Sequence, residues 1–143
     1  MDKALVLHQL FLRENDEPQL VDVNQTSLEV SDNQKYQSWL QGKRALELQD
    51  VADSRWIKTC TGGYITEVIF NANGTLEEYR LFDRFRTSGS WILRDGILSV
   101  EIRKGENRYT LNVVGNKIVN IHSAVEYKND QLHSYLKLAP IKP

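Results

Sequence analysis

Residues Gly89–Arg103 read GSWILRDGILSVEIR, and the pattern of this segment predicts the architecture of the chain. Asp95-Gly96 separates two runs rich in β-branched and aromatic residues, and this dipeptide readily adopts the positive φ angles of a two-residue hairpin turn. After the turn, Leu98, Val100 and Ile102 alternate with polar residues, which is the pattern of a strand with one apolar face. Gly89–Arg103 is therefore predicted to form a β-hairpin.

The same pattern continues on both sides of this hairpin. Short segments rich in Val, Ile, Thr and Tyr recur at spacings of about 8 to 12 residues, which is typical of β-sandwiches and barrels. The connections are too short for a crossover helix, so neighbouring segments must pair antiparallel. The predicted strands are Trp56–Cys60, Tyr64–Asn71, Leu76–Phe82, Gly89–Arg94, Ile97–Arg103, Arg108–Val114, Lys117–Tyr127 and Leu132–Leu138.

A meander of antiparallel strands leaves two exposed edges, and closing the sheet into a barrel removes both. The predicted fold class is mainly β, with an up-and-down antiparallel meander over residues 56–138 that forms a small barrel of about eight strands. The interior of such a barrel is either filled by side chains or holds one small ligand. At 143 residues the chain fits a single domain, in which residues 1–55 form a mixed segment that contains a helix and packs on the barrel.

Residues 1–55 are harder to assign than the strands that follow. Ala4–Leu12 fits either a short helix or a buried strand, because periodicity cannot separate the two in so short a run. Leu20–Val30 fits one or two further strands. A helix of about four turns is predicted to begin at Asp32 or Asn33 as its cap, although Gly42 inside it costs about 1 kcal/mol of helix propensity.

The composition is that of a soluble globular protein, with 41% hydrophobic and 26% charged residues. The formal net charge of −1 gives no field that attracts an anionic membrane or nucleic acid, so no membrane partner is expected and nucleic acid is an unfavoured partner. The single cysteine, Cys60, excludes an intrachain disulfide and a cysteine zinc site. No apolar stretch approaches the roughly 20 residues that span a bilayer, and the N-terminus lacks a secretory pattern. The expected location is cytoplasmic.

Several segments follow one another in an order that matches a known group of proteins. Trp56 comes first, Val68–Leu76 supplies a strand and a turn at Asn73-Gly74, and Gly89–Leu98 precedes two further hairpin strands. From Trp56 onward the chain thus resembles the small bacterial lipocalin-like proteins of the calycin group. This resemblance implies a barrel fold.

The segment Tyr79–Arg86 places three arginines among three aromatic residues. Arginine binds carboxylate and phosphate groups and stacks on aromatic rings, so at a barrel rim this segment would hold an anionic or flat ligand. Alternatively, the arginines cover the outer wall and pair with neighbouring carboxylates. With aromatic lining residues added, the candidate ligand-binding residues are Tyr79, Arg80, Arg84, Arg86, Trp91, Tyr109, His122 and Tyr135.

No group of residues has the spacing of a catalytic or metal site. His8, His122 and His133 are far apart in the sequence, and no pair of carboxylates is singled out as a general acid and base. Cys60 is interpreted as a small buried residue. We therefore predict no catalytic residue, no metal and no cofactor.

Three functions remain open from the sequence. The first is a non-catalytic, lipocalin-like binding protein whose barrel accommodates a small, partly apolar or anionic molecule, and a cavity inside the barrel would favour it. The second is a protein-interaction or assembly factor, including a homodimer, in which residues 1–55 bind the partner and Trp39 lies on the contact surface or plugs one barrel end. The third is an enzyme acting within the barrel, which requires a buried ionisable group with a displaced pKa, His122 being the first choice.

Overall fold

The computed structural model describes residues 2–15, 22 and 34–141. In these residues, helices and a short strand precede a closed barrel of eight antiparallel strands. The helices and the short strand are α1 (Lys3–Glu14), α2 (Gln34–Gln41), β1 (Lys43–Arg44) and α3 (Leu48–Val51). The barrel strands are β2 (Ser54–Cys60), β3 (Ile65–Phe70), β4 (Thr75–Arg80), β5 (Arg86–Arg94), β6 (Ile97–Lys104), β7 (Asn107–Asn116), β8 (His122–Lys128) and β9 (Gln131–Pro140).

Each barrel strand pairs with the next one along the chain, and β9 returns to pair with β2. The predicted class, a mainly β meander closed into a barrel of eight strands, is confirmed. In the β5–β6 hairpin, Arg94 pairs with Ile97 across the Asp95-Gly96 turn. Both turn residues have positive φ, 49° for Asp95 and 78° for Gly96, as a two-residue hairpin turn requires.

The barrel has one closed end and one open end. The closed end carries the β3–β4, β5–β6 and β7–β8 connections, and the buried side chains of Leu46 and Val51 pack into it. Next to them the interior is filled by a layer of large apolar side chains that includes Trp56, Phe70 and Leu98, all fully buried. The hydrophobic core therefore occupies this half of the barrel, and the open end, at the β2–β3, β4–β5, β6–β7 and β8–β9 connections, is left for other side chains.

Helix α1 packs on the outer wall of the barrel. Val6 and Leu10 contact Ile97, Val114 and Val125 in a second apolar cluster. Ala4–Leu12, which fitted either a helix or a strand, is thus helical, because its apolar residues cover the barrel on one face. No helix in the described part of the chain is both long enough and apolar enough to cross a membrane.

The predicted four-turn helix is wrong in its length. Helix α2 ends at Gln41, and the carbonyl of Gly42 then accepts a hydrogen bond from Lys117 N–H at 2.8 Å. This bond directs β1 into pairing with β7, so the helix cannot continue. Trp39 lies outside the barrel, where its Nε1 donates to Glu14 Oε1 at 2.9 Å. The predicted cap at Asp32 or Asn33 and the strands over 20–30 lie outside the described residues, apart from Asp22.

Candidate ligand-binding site

A cavity of about 220 Å³ lies inside the open end of the barrel. Strand alternation explains its lining, because every second residue of each barrel strand points inward. Ile102, Tyr109 and Leu136 supply apolar surface on its wall. Tyr64 and Phe85, which are 70% and 48% exposed, lie at its mouth. The cavity is therefore accessible from solvent and partly apolar.

The floor of the cavity is formed by charged side chains. Lys58 Nζ lies 2.6 Å from Glu78 Oε2 and 3.6 Å from Glu126 Oε2. Glu78 also accepts hydrogen bonds from the hydroxyl groups of Thr66, at 2.7 Å, and Thr87, at 3.1 Å. These contacts place an ion cluster directly above the apolar layer that fills the closed half of the barrel.

Lys58 and Glu78 hold each other in the ionised form. Burial by itself would lower the pKa of Lys58, but attraction to Glu78 and Glu126 outweighs burial and raises that pKa above its usual value. Burial would raise the pKa of Glu78, but the charge of Lys58 and the hydrogen bonds it receives lower that pKa instead. Lys58 and Glu78 are therefore an ion pair at neutral pH.

Glu126 has a second partner on β9. His133 Nδ1 lies 3.0 Å from Glu126 Oε1, so Nδ1 carries the proton that this oxygen accepts. The Ser134 hydroxyl lies 2.8 Å from the same nitrogen, and the Tyr109 ring packs edge-on against His133 with centroids 5.8 Å apart. Among the described residues, no group of three or more His, Cys, Asp or Glu side chains is arranged to hold a metal ion.

Positive charge surrounds the mouth. Arg80 pairs with Asp83 at 2.7 Å and lies over the Phe85 ring at 4.8 Å. Lys104 and Lys128, named here the mouth lysines, have no acidic side chain within ion-pair distance in the described part of the chain. Lys104 Nζ lies 5.7 Å from the Phe85 ring and Lys128 Nζ lies 5.9 Å from the Tyr109 ring. The mouth therefore combines ammonium groups with aromatic faces.

The structure brings two of the candidate residues, Arg80 and Tyr109, to the cavity. It places three others on the outer wall, where Arg84 pairs with Glu67 and Arg86 pairs with Glu77, at 2.7 and 2.8 Å, and Tyr79 lies under the Arg84 guanidinium. The sequence left two roles open to the arginines, ligand binding at the rim or ion pairing on the outer wall. Arg84 and Arg86 have the second role. Tyr79 points outward because its strand neighbours point into the barrel.

The remaining three candidates also lie away from the cavity. Trp91 is part of the apolar layer, with its Nε1 donating to the Asn71 carbonyl at 2.9 Å. Tyr135 lies on the outer wall and donates its hydroxyl to Glu14 on α1. His122 is buried at the closed end against the Trp56 ring, with centroids 5.4 Å apart. Cys60, interpreted as a buried residue, is half-buried and lines the cavity.

His122 is held neutral by its surroundings. Its Nδ1 accepts the Asn116 backbone N–H at 2.9 Å, so its Nε2 carries the proton that it donates to Asn120 Oδ1 at 2.7 Å. Burial, with a further contribution from the charge of Arg44, lowers the pKa of His122 from 6.5 to about 4. The pKa of His122 is thus displaced, as an enzyme acting within the barrel would require. The cause is burial in the packed closed end of the barrel, away from the cavity.

This arrangement predicts the pH response of His122. In an NMR titration, the His122 ring should protonate with a midpoint near 4. Because the folded-state pKa lies below the value of the unfolded chain, His122 stabilises the fold above pH 6.5, and this contribution is lost as the pH falls toward 4. A midpoint at or above 6.5 would contradict the buried neutral form.

Sequence reasoning missed Lys58, Glu78, Glu126 and His133 as site residues. A signal for three of them was present, because Lys58, Glu78 and Glu126 each stand two residues from an inward-facing apolar residue of the same strand. A charged residue that alternates in register with core residues points into the barrel, and burying its charge costs free energy unless it has an ion-pair or hydrogen-bond partner. Such residues therefore indicate a buried polar site.

Comparisons with protein-family models, with curated proteins and with solved structures found no match for this chain.

Proposed function

We propose that this protein is a non-catalytic, lipocalin-like binding protein whose barrel accommodates a small, partly apolar, anionic molecule. The observation that carries this proposal is the cavity of about 220 Å³ with Lys104 and Lys128 beside aromatic rings at its mouth.

The volume of the cavity limits the size of the ligand. Pockets for drug-sized molecules have volumes of roughly 300 to 1,000 Å³. A cavity of about 220 Å³ is smaller than these pockets. The ligand that fits is therefore a single ring or a short chain with a charged group.

The lining sets the orientation of the ligand. An ammonium group binds an anion as a point charge, and desolvation beside apolar surface strengthens that attraction. Ile102, Tyr109 and Leu136 contact the apolar part of a molecule whose acid group faces the mouth lysines. Phe85 and Tyr109 provide flat surfaces for a ring.

Phenylacetate tests this proposal, because it has one ring and one carboxylate. Wild-type protein is expected to bind phenylacetate in an isothermal titration, with NMR shift changes at Tyr109 and Leu136. Each mouth lysine is expected to contribute about 1 kcal/mol at its partly exposed position, so the double variant Lys104→Ala/Lys128→Ala should bind about 30-fold more weakly.

Two controls accompany this titration. The double variant Arg84→Ala/Arg86→Ala removes the same amount of charge from the outer wall and should bind phenylacetate as the wild type does. Phenylacetamide has the same shape without the charge and should bind more weakly than phenylacetate. Equal affinity for both compounds, or an equal loss in both double variants, would contradict a site built for an anion. Native mass spectrometry of freshly purified protein should also show a co-purified small acid.

A further inference from the structure

The floor of the cavity carries an unbalanced charge. Lys58 contributes one ammonium group, whereas Glu78 and Glu126 contribute two carboxylates, which leaves a formal charge of −1. The three side chains are 12%, 11% and 6% exposed. Burying an unbalanced charge is costly, because few water molecules remain to solvate it. A further cation or strong donor is therefore favoured at this floor.

The two carboxylates are not equally satisfied. Glu78 accepts bonds from Lys58 at 2.6 Å and from the hydroxyl groups of Thr66 and Thr87. Glu126 Oε2 lies 3.6 Å from Lys58 Nζ, which is beyond a hydrogen bond of ordinary length. Glu126 is therefore the carboxylate with capacity for another donor, and it lines the cavity.

His133 satisfies the other oxygen of Glu126. Its Nδ1 lies 3.0 Å from Oε1 and donates its N–H to this oxygen. The His133 side chain is 42% exposed, whereas that of Glu126 is 6% exposed. Oε2 remains the position at which a ligand cation gains most.

The mouth lysines and the carboxylates of the floor lie close together. Glu126 and Lys128 are two residues apart on β8, which corresponds to about 7 Å along a strand. A short chain with an amine at one end and an acid at the other spans this distance. We infer that the ligand is a small zwitterionic amino acid whose ammonium group binds Glu126 while its carboxylate binds the mouth lysines. This inference rests on the proposed function and names the ligand class of the same site.

A series of probes with one chain length tests the inference. Isothermal titration at pH 7 compares 6-aminohexanoate, hexanoate and hexylamine on the wild-type protein. We expect 6-aminohexanoate to bind about tenfold more tightly than hexanoate, because its ammonium group adds one charge-assisted hydrogen bond to Glu126. Hexylamine, which lacks the acid group, should bind more weakly than 6-aminohexanoate.

Glu126→Gln removes the floor carboxylate with little change in shape. In this variant the preference for 6-aminohexanoate over hexanoate should fall to less than twofold, while hexanoate binds at least as well as before. Glu77→Gln, on the outer wall of β4, is the matched control and should retain the preference. If Glu126→Gln does not fold, the comparison of the three probes on the wild-type protein still decides the inference.

The outcomes separate the two proposals. Equal binding of hexanoate and 6-aminohexanoate, with both lost in Lys104→Ala/Lys128→Ala, overturns the zwitterion and leaves the anion-binding function standing. A preference for 6-aminohexanoate that survives in Glu126→Gln overturns the role of Glu126. Failure of both acids to bind overturns the inference, and the phenylacetate titration then shows whether the proposed function falls with it.

Discussion

Gly89→Ala is expected to destabilise the barrel by about 3 kcal/mol or more, because the added methyl group has no space. A Cβ atom at this position would overlap the carbonyl oxygen of Glu101 and lie 2.9 Å from Ile102 Cα. Gly89 pairs with Leu76 on one side and with Ile102 on the other, so neither neighbouring strand can move away without breaking its own pairing. Glycine inside a strand marks such a close approach of two backbones.

Equilibrium unfolding in urea measures this effect. Gly62→Ala is the matched control, since its Cβ atom would meet Cys60 Sγ at an ordinary contact distance of 3.6 Å. The control should change the free energy of unfolding by less than about 0.5 kcal/mol, as surface substitutions usually do. If Gly89→Ala unfolds at the same urea concentration as Gly62→Ala, strands β5 and β6 are not packed as closely as described.

The hairpins were predictable from the sequence because their signals are local. Turn dipeptides such as Asp95-Gly96 and the alternation of Leu98, Val100 and Ile102 act within one hairpin. The close packing at Gly89 was not predictable, because it depends on how sharply β5 curves between its two neighbours. The sequence pattern predicts a strand that begins at Gly89, whereas β5 begins at Arg86.

The sequence prediction is wrong for one connection. Lys117–Ile121 contains three β-branched apolar residues, which predict the start of a strand, but this segment forms a loop with Ile118 89% exposed. Asn116 Nδ2 donates to the Ile121 carbonyl, and the Asn120 side chain accepts from His122. Side-chain hydrogen bonds of this kind compete with strand pairing, and propensity alone does not detect them.

The binding residues were less predictable than the fold. Arg80 and Arg84 belong to the same candidate segment, Tyr79–Arg86, but the chain leaves β4 after Arg80 and turns at Arg84, whose φ is 59°. Lys58, Glu78 and Glu126 come from three strands that are far apart in the sequence. These three side chains contact one another only because the barrel closes. Local sequence patterns can indicate that each charged residue lies at an inward-facing position, but they cannot indicate that the three form one cluster.

Lys58→Met is expected to be the other strongly destabilising substitution, at about 3 to 5 kcal/mol near pH 7. The ammonium group lies 2.6 Å from Glu78 and is buried with it, so its removal leaves two carboxylates in a poorly solvated space. Methionine fills a similar volume, and the loss is therefore electrostatic. Lys117→Met, in the exposed β7–β8 loop, is the matched control and should change stability little.

The pH dependence distinguishes this electrostatic cause from a packing defect. In the wild type the pKa of Glu78 is lowered from 4.5, so its contribution to stability is present above that pH and is lost as the pH falls through the folded-state value. Without Lys58, burial raises the pKa of Glu78 above the unfolded value, and stability then falls as the pH rises. The free energy of unfolding of Lys58→Met should therefore lie closer to that of the wild type at pH 4.5 than at pH 7. The titration of His122 cancels in this difference because both proteins contain it. Urea unfolding at several pH values measures this difference, and one that stays constant over this range would show that lost packing, and not a buried unpaired carboxylate, destabilises the variant.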